Sequence, residues 1–184
     1  ERFVGPSKIQ AVTIDMEHAV VVNNRITGKQ SLITEHQVFV PSWDEEVLEV
    51  CELTKLANNE AAVVKDEHGK FHFFYGDESK GTPRSFFLQP GWERVTLVWS
   101  RGRRREVRDL KISTFDCRPQ YMSFEFNCRT CDNVEMILEG TFFWEVVDLP
   151  AMLEFTSDAP GDVCNHARSC FIQLVSKVTL QQFM

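Results

Sequence analysis

Two uninterrupted apolar runs, Ala19-Val20-Val21-Val22 and Ala61-Ala62-Val63-Val64, stand between polar stretches in the first half of the chain. Small and β-branched residues in runs this short predict strands. Each run is followed by a polar turn containing glycine, Thr27-Gly28-Lys29 and His68-Gly69-Lys70, and then by a second apolar run, which predicts antiparallel hairpins. A third strand in each set ends at Pro41 or Pro90, since proline cannot donate to a ladder. Beyond the prolines, Glu45 to Val50 and Arg94 to Trp99 alternate or nearly alternate and predict further strands.

These two sets are copies of one pattern. His18 to Val22 and Glu60 to Val64 are offset by 42 residues, Gly28-Lys29 and Gly69-Lys70 by 41, and Pro41/Trp43 and Pro90/Trp92 by 49. The extra residues fall at Gly76 to Pro83, where Gly, Asp, Ser and Lys mark an expanded loop. Phe3 to Ser7 echoes Phe39 to Ser42, as the tail of an earlier copy would. A unit of about 45 residues has too little core to stand alone, so such units are expected to stack on their neighbours.

After Trp99 the pattern changes. Arg101 to Arg105 reads as a polar connector, followed by strand candidates Val107 to Phe115, Tyr121 to Cys128 and Val134 to Val147, with Asp132-Asn133 as a turn pair. The near-continuous apolar run Ile137 to Val147 predicts a strand buried on both faces or covered by a helix. Leu149 to Phe155 suits a short helix with an early proline. Ser157-Asp158-Ala159-Pro160 then caps a longer one, with Val163, Ala167, Cys170, Phe171, Leu174, Val175 and Val178 expected on its buried stripe. Thr179 predicts the cap of a further helix.

With Asn59-Glu60-Ala61-Ala62-Val63-Val64, Gly69-Lys70 and Ser85-Phe86-Phe87-Leu88-Gln89-Pro90-Gly91, the β units resemble the tandem repeats of the major vault protein family. Phe143-Trp144-Glu145-Val146-x-Asp148, Gly161-Asp162-Val163-Cys164 and Val178-Thr179-Leu180-x-x-Phe183 resemble its shoulder domain, of the stomatin, prohibitin and flotillin type called SPFH or band 7. The resemblance implies an α+β chain. Residues 1–10 end a preceding repeat, 11–53 and 54–100 are two tandem antiparallel β repeats with a loop insertion at 76–83 in the second, and 101–184 form an incomplete SPFH/band 7-like α/β domain. It further implies a cytoplasmic structural protein, with the cytoskeleton a candidate place of association, many copies of which pack side by side as a homo-oligomer, with RNA or other proteins as candidate cargo.

Composition narrows the chemistry. The 184 residues carry 20 Lys+Arg and 27 Asp+Glu, a formal charge of −7, and 43% are hydrophobic, which suits a folded soluble chain. No stretch reaches the ~18 apolar residues of a membrane span. The start at Glu1 rather than Met, and the helical turn at the end, suit a piece of a longer protein. The six cysteines read as reduced thiols, because 15 Phe and 4 Trp supply a core without staples. Cys128 and Cys131 have the spacing of zinc and redox pairs, but they are half a site, with Cys164, His166 and Cys170 the only nearby candidates to complete it. His68 and His72 flank a turn with no partner set by spacing. No phosphate loop, nucleophile elbow or paired zinc motif is present, so no enzyme, cofactor or small-molecule substrate is expected.

Against the acidic total, Arg101 to Arg118 holds seven basic and three acidic residues. Arg101, Arg103, Arg104, Arg105 and Arg108 could hold phosphates of RNA or anionic lipid, or serve as a solvated connector or ion-pair partner. Trp43 and Trp92, at equivalent positions after the prolines, and Phe171, Leu174, Val175 and Val178 on the long helix are the candidates for self-assembly. Two alternatives stay open: a membrane-associated scaffold of the stomatin or prohibitin kind, and an RNA-binding module using the arginines.

Overall fold

The computed structural model describes residues 11–184, so the expected end of a preceding repeat at residues 1–10 lies outside the described residues. The chain divides into two compact units, Glu1–Arg94 and Val95–Met184.

Among its described residues the first unit contains ten strands in two sets of five. The first set is β1 (Val12–Ile14), β2 (His18–Asn24), β3 (Gln30–Ile33), β4 (Gln37–Phe39) and β5 (Glu45–Glu52). The second is β6 (Thr54–Lys55), β7 (Glu60–Lys65), β8 (Phe71–Tyr75), β9 (Ser85–Phe86) and β10 (Glu93–Arg94). In the first set β1 pairs β4, while β2 lies between β3 and β5. In the second, β6 pairs β9, while β7 pairs both β8 and β10. The order of pairing within the two sets is the same, though β5 pairs along seven residues of β2 and β10 along only two of β7, and every one of these pairs is antiparallel. The apolar runs occupy the central strands because a strand flanked on both sides satisfies its backbone completely and can be buried on both faces. Ala19 to Val22 and Ala61 to Val64 are all buried. Around Ile14, Val20 and Val22 pack Val12, Ile33, Phe39 and Val47.

Each central strand leaves through the same kind of turn. The Asn24 side-chain oxygen accepts from the N–H groups of Ile26 and Thr27 at 3.0 and 2.9 Å, and that of Asp66 accepts from His68 and Lys70 at 2.9 Å. Gly28 and Gly69 then take positive φ, 69° and 82°, which a side chain would resist. The insertion after β8 holds a single helical turn, Glu78–Lys80, capped by Asp77 and ended by Gly81.

In the second unit, β11 (Leu97–Arg101) pairs β12 (Val107–Ile112). After β13 (Thr114–Asp116) come β14 (Gln120–Arg129) and β15 (Glu135–Trp144), joined over ten antiparallel pairs without a register shift. Three helices close the chain: α1 (Leu149–Phe155), α2 (Ala159–Val175) and α3 (Leu180–Phe183). Helix α2 packs on β14 and β11, and its Cys164 joins Met122, Phe124 and Phe126 in a core flanked by Phe142, Trp144, Ala167 and Phe171. Phe124 lies at the centre, its ring stacked on Phe126 and Phe142 with centroids 4.6 and 4.4 Å away.

This arrangement corrects the expected fold class. Among the described residues strands make up 44% and helices 18%, the strands spread over several small sheets, so the fold is mostly β. The α+β chain ending in an SPFH/band 7-like α/β domain is overturned. Residues from Val95 on form antiparallel hairpins first and helices only afterwards, whereas an α/β layer interleaves the two. The arginine segment is the turn of the β11–β12 hairpin rather than a connector between domains. Strand β15 does not bury both faces either: exposed and half-buried residues alternate along it, with Ile137 and Phe143 outward. Helix α2 turns Ala167, Phe171 and Val175 of the expected stripe inward and adds Cys164, while Val163, Cys170 and Leu174 face solvent. Its first turn is fixed by Asp158, which caps the helix and is tied to β11.

Candidate functional site

Trp43 and Trp92, equivalent in sequence, have different fates. Trp92 stands next to β10 and stacks on His72 of β8, ring centroids 4.4 Å apart and planes 16° from parallel. Trp43 is 81% exposed. Two observations account for the difference. Glu93, directly after Trp92, pairs with Lys65, whereas in the first set the corresponding residue, Glu46, lies three positions after Trp43. The tryptophan therefore sits in a turn rather than against the strand. Opposite Val22, where the second set has His72 opposite Val64, the first has Ser31, which offers no ring.

The rest of the first set is open in the same way. Met16, Ile26, Val38, Val40, Leu48 and Val50 are exposed large apolar residues alongside Trp43, Met16 being 87% accessible. Leu48 is the extra residue at an irregularity in β5, where Val21 pairs Glu49 and Val22 pairs Val47. In the second set most aromatics pack within the unit instead: Phe74 stacks on Phe86 at 3.9 Å, and Phe87, Leu88 and Trp92 are half-buried, while Phe71 is 45% exposed.

Of the helix residues expected at an assembly surface, Leu174 alone is well exposed, at 61%. Val175 is buried, Val178 is half-buried, and Phe171 stacks on Phe124 with centroids 5.7 Å apart. Phe171 and Val175 thus serve the core of their own unit.

The five arginines are engaged internally. Arg101 makes a fork-to-fork pair with Asp109 at 2.5 and 2.7 Å. Arg104 pairs with Glu125, its Nε donating at 2.9 Å, and Arg103 lies 3.9 Å from Glu139. Arg105 donates to the Ser100 carbonyl at 3.2 Å. Arg108 donates to the Val98 carbonyl at 2.9 Å and to Ser157 at 2.8 Å. The Asp109 carboxylate holds the Arg101 guanidinium above its usual basicity, as the Glu125 carboxylate does for Arg104. Guanidinium groups matched to carboxylates and carbonyls have fewer donors to offer a phosphate.

Cys128 is buried in β14 and Cys131 is exposed in the turn beyond it, so the two thiols occupy different environments. Burial pushes the Cys128 thiol upward, away from the thiolate that metal binding or exchange would need. Among the described residues no three His, Cys, Asp or Glu side chains cluster as metal ligands would.

Two groupings escape the sequence reading. Asp66 accepts from His72 Nε2 at 2.8 Å as well as from its two turn amides, giving His72 the acidic partner that no spacing announced. The buried Asp158 receives the Ser100 N–H at 2.8 Å and the Ser100 hydroxyl at 2.5 Å while capping α2 at Gly161. Its role as a cap is legible from Ser157-Asp158-Ala159-Pro160, but its hold on β11 is not.

No helix among the described residues is long and apolar enough to cross a membrane. No known family model matches the chain, and no curated protein sequence matches it.

Proposed function

We propose that the protein is a structural subunit that assembles side by side with further copies of itself through its β units, in the manner of a vault-type repeat array. The observation that carries this reading is the asymmetry between two sets of strands with one pairing scheme. The second set leaves one large apolar residue exposed, Phe71, and covers the rest at least in part, while the first leaves Met16, Ile26, Val38, Val40 and Trp43 exposed. Large apolar side chains left exposed in one set offer contacts for association. A second copy supplies a matching cover, since its units have the same architecture.

Sedimentation velocity of the protein at micromolar concentration tests the reading. Large assemblies are expected, and Trp43→Ser is expected to weaken them by about 30-fold, the ~2 kcal/mol typical of an aromatic anchor. A wild-type protein that sediments as a monomer removes the proposal.

A further inference from the structure

Strand β15 is an open edge. It pairs with β14 on one side, and among the described residues no other backbone group bonds to it. Folded proteins blunt such edges with lysine, proline, a bulge or a short strand, because a row of free N–H and C=O groups recruits other chains. β15 is ten residues long, contains no Lys or Pro, keeps an unbroken register with β14, and carries as charges only Glu135 and Glu139, each beside an arginine. Its outward face also carries Ile137, 59% exposed, and Phe143, 82% exposed, the latter directly opposite Tyr121 of β14, itself 74% exposed.

The sequence of this edge is self-complementary. When β15 is laid antiparallel against another β15 about a two-fold axis through Gly140, Met136 faces Trp144, Ile137 faces Phe143, Leu138 faces Phe142 and Glu139 faces Thr141. Solvent-facing residues meet solvent-facing ones and core-facing meet core-facing, as the pleat requires. Charge selects this register among its neighbours. An axis through Glu139 sets that carboxylate against its own copy, and one through Thr141 sets Glu139 against Phe143 and Ile137 against Glu145. Like charges directly opposite destabilise a pair, and apolar cross-strand pairs stabilise it. Beyond the paired stretch, Glu135 falls opposite Glu145, and Arg129 already neutralises Glu135 on its own hairpin. Arg103 lies beside Glu139 in the same way.

We infer that two copies of this chain join edge to edge through β15, forming a continuous four-stranded β14–β15–β15–β14 sheet centred on Gly140. This contact lies in the second unit and does not rest on the apolar surface of the first. It is isologous and closes at two copies, so a second, different interface is what would carry assembly further.

Cross-linking between differently labelled chains tests both the contact and its register. Ile137→Cys and Phe143→Cys are introduced separately into protein whose exposed Cys131 and Cys170 are replaced by serine, and that parent serves as the control. In the inferred register residue 137 faces residue 143 of the other copy at ~5 Å, while each lies ~20 Å from its own counterpart. A bismaleimide spanning about 8 Å is therefore expected to yield at least tenfold more covalent dimer from the mixture than from either variant alone. Phe143→Lys, at an exposed position, when added to the Ile137→Cys chain is expected to cut the dimer yield of the mixture at least tenfold with an unchanged circular dichroism spectrum. No dimer above the control in the mixture, or equal yields from mixture and single variants, overturns the inference. If large particles persist in that case, the β-unit assembly stands without it; if the cross-link forms while Trp43→Ser leaves sedimentation unchanged, the reverse holds.

Discussion

Asp66 accepts from His72 and from two turn amides, and these hydrogen bonds, that of His72 foremost, hold its carboxyl down to about 2 from the ordinary 3.8. A depressed carboxyl stabilises the fold in full above 3.8 and loses that contribution as pH falls through about 2. Chemical denaturation of wild type and Asp66→Asn is therefore expected to differ by a constant amount above pH 4, with the gap closing toward pH 2. A gap that does not change with pH sinks the assignment. Space is short at Gly140 and Gly76, among other glycines. A Cβ on Gly140 would meet the Phe124 ring at 2.6 Å, and one on Gly76 would meet the Ala57 carbonyl oxygen at 1.7 Å. A ring can tilt whereas a backbone carbonyl held in a turn cannot. Gly140→Ala is thus expected to cost about 1–3 kcal/mol and Gly76→Ala about 3 kcal/mol or more, read as shifts in denaturation midpoint. Neither requirement is visible in the sequence, because the atoms that fill the space come from other strands.

Among the elements, α2 depends most on one residue. Asp158 caps the helix at Gly161 and binds both the amide and the hydroxyl of buried Ser100 in β11. Asp158→Ala removes a cap and leaves two donors of Ser100 unpaired, an expected loss of roughly 2–3 kcal/mol. Asp158→Asn keeps an acceptor and is expected to recover part of it. Equal losses for the two variants would mean that the helix rests on packing alone. The turn from β1 to β2 shows a different device. Asp15 accepts from the Glu17 and His18 amides and from the His18 ring, all at 2.8 Å. The Asp15 hydrogen bond raises His18 above 6.5, and its partners lower Asp15 below 3.8. The His18 contribution is present in full below pH 6.5 and fades as pH rises through its elevated value, while the Asp15 contribution is present above 3.8 and fades as pH falls below it. The turn is thus best held between these limits, and an NMR titration of His18 in Asp15→Asn is expected to shift its midpoint downward. In the second set Glu60 stands at the place of His18 and accepts the Ala57 amide at 2.9 Å, so one turn is closed by two chemistries.

Across the whole molecule, a net charge of −7 is combined with an arginine segment whose side chains are committed to neighbours. Phosphate binding would have to displace those partners and work against the acidic total. Filter binding of single-stranded RNA at 50 mM salt is expected to show no retention that Arg103→Gln or Arg104→Gln removes. The same substitutions are expected to change stability by no more than ~1 kcal/mol, as exposed ion pairs do. Retention that falls with each arginine removed would restore the nucleic-acid reading. Cysteine chemistry is distributed unevenly too. Burial, with the Glu49 charge beside it, pushes the Cys51 thiol up to about 11, so maleimide is expected to label exposed Cys131 and Cys170 well before Cys51.

What the amino-acid order determined by itself is local and periodic. The central apolar runs, the turns after Asn24 and Asp66, the alternation along β14 and the caps at Asp158 and Thr179 each depend on neighbours within a few positions. Tertiary structure alone decided that Val163, Cys170 and Leu174 of α2 stay exposed, that Trp92 finds His72 while Trp43 lies exposed, and that the arginines meet carboxylates and carbonyls. It also decided that the chain is mostly β. These outcomes turn on residues brought together from far apart, Ser100 and Asp158 being 58 positions distant. A side chain's own identity limits what it can bind, but the packing of the fold determines which partner lies within reach.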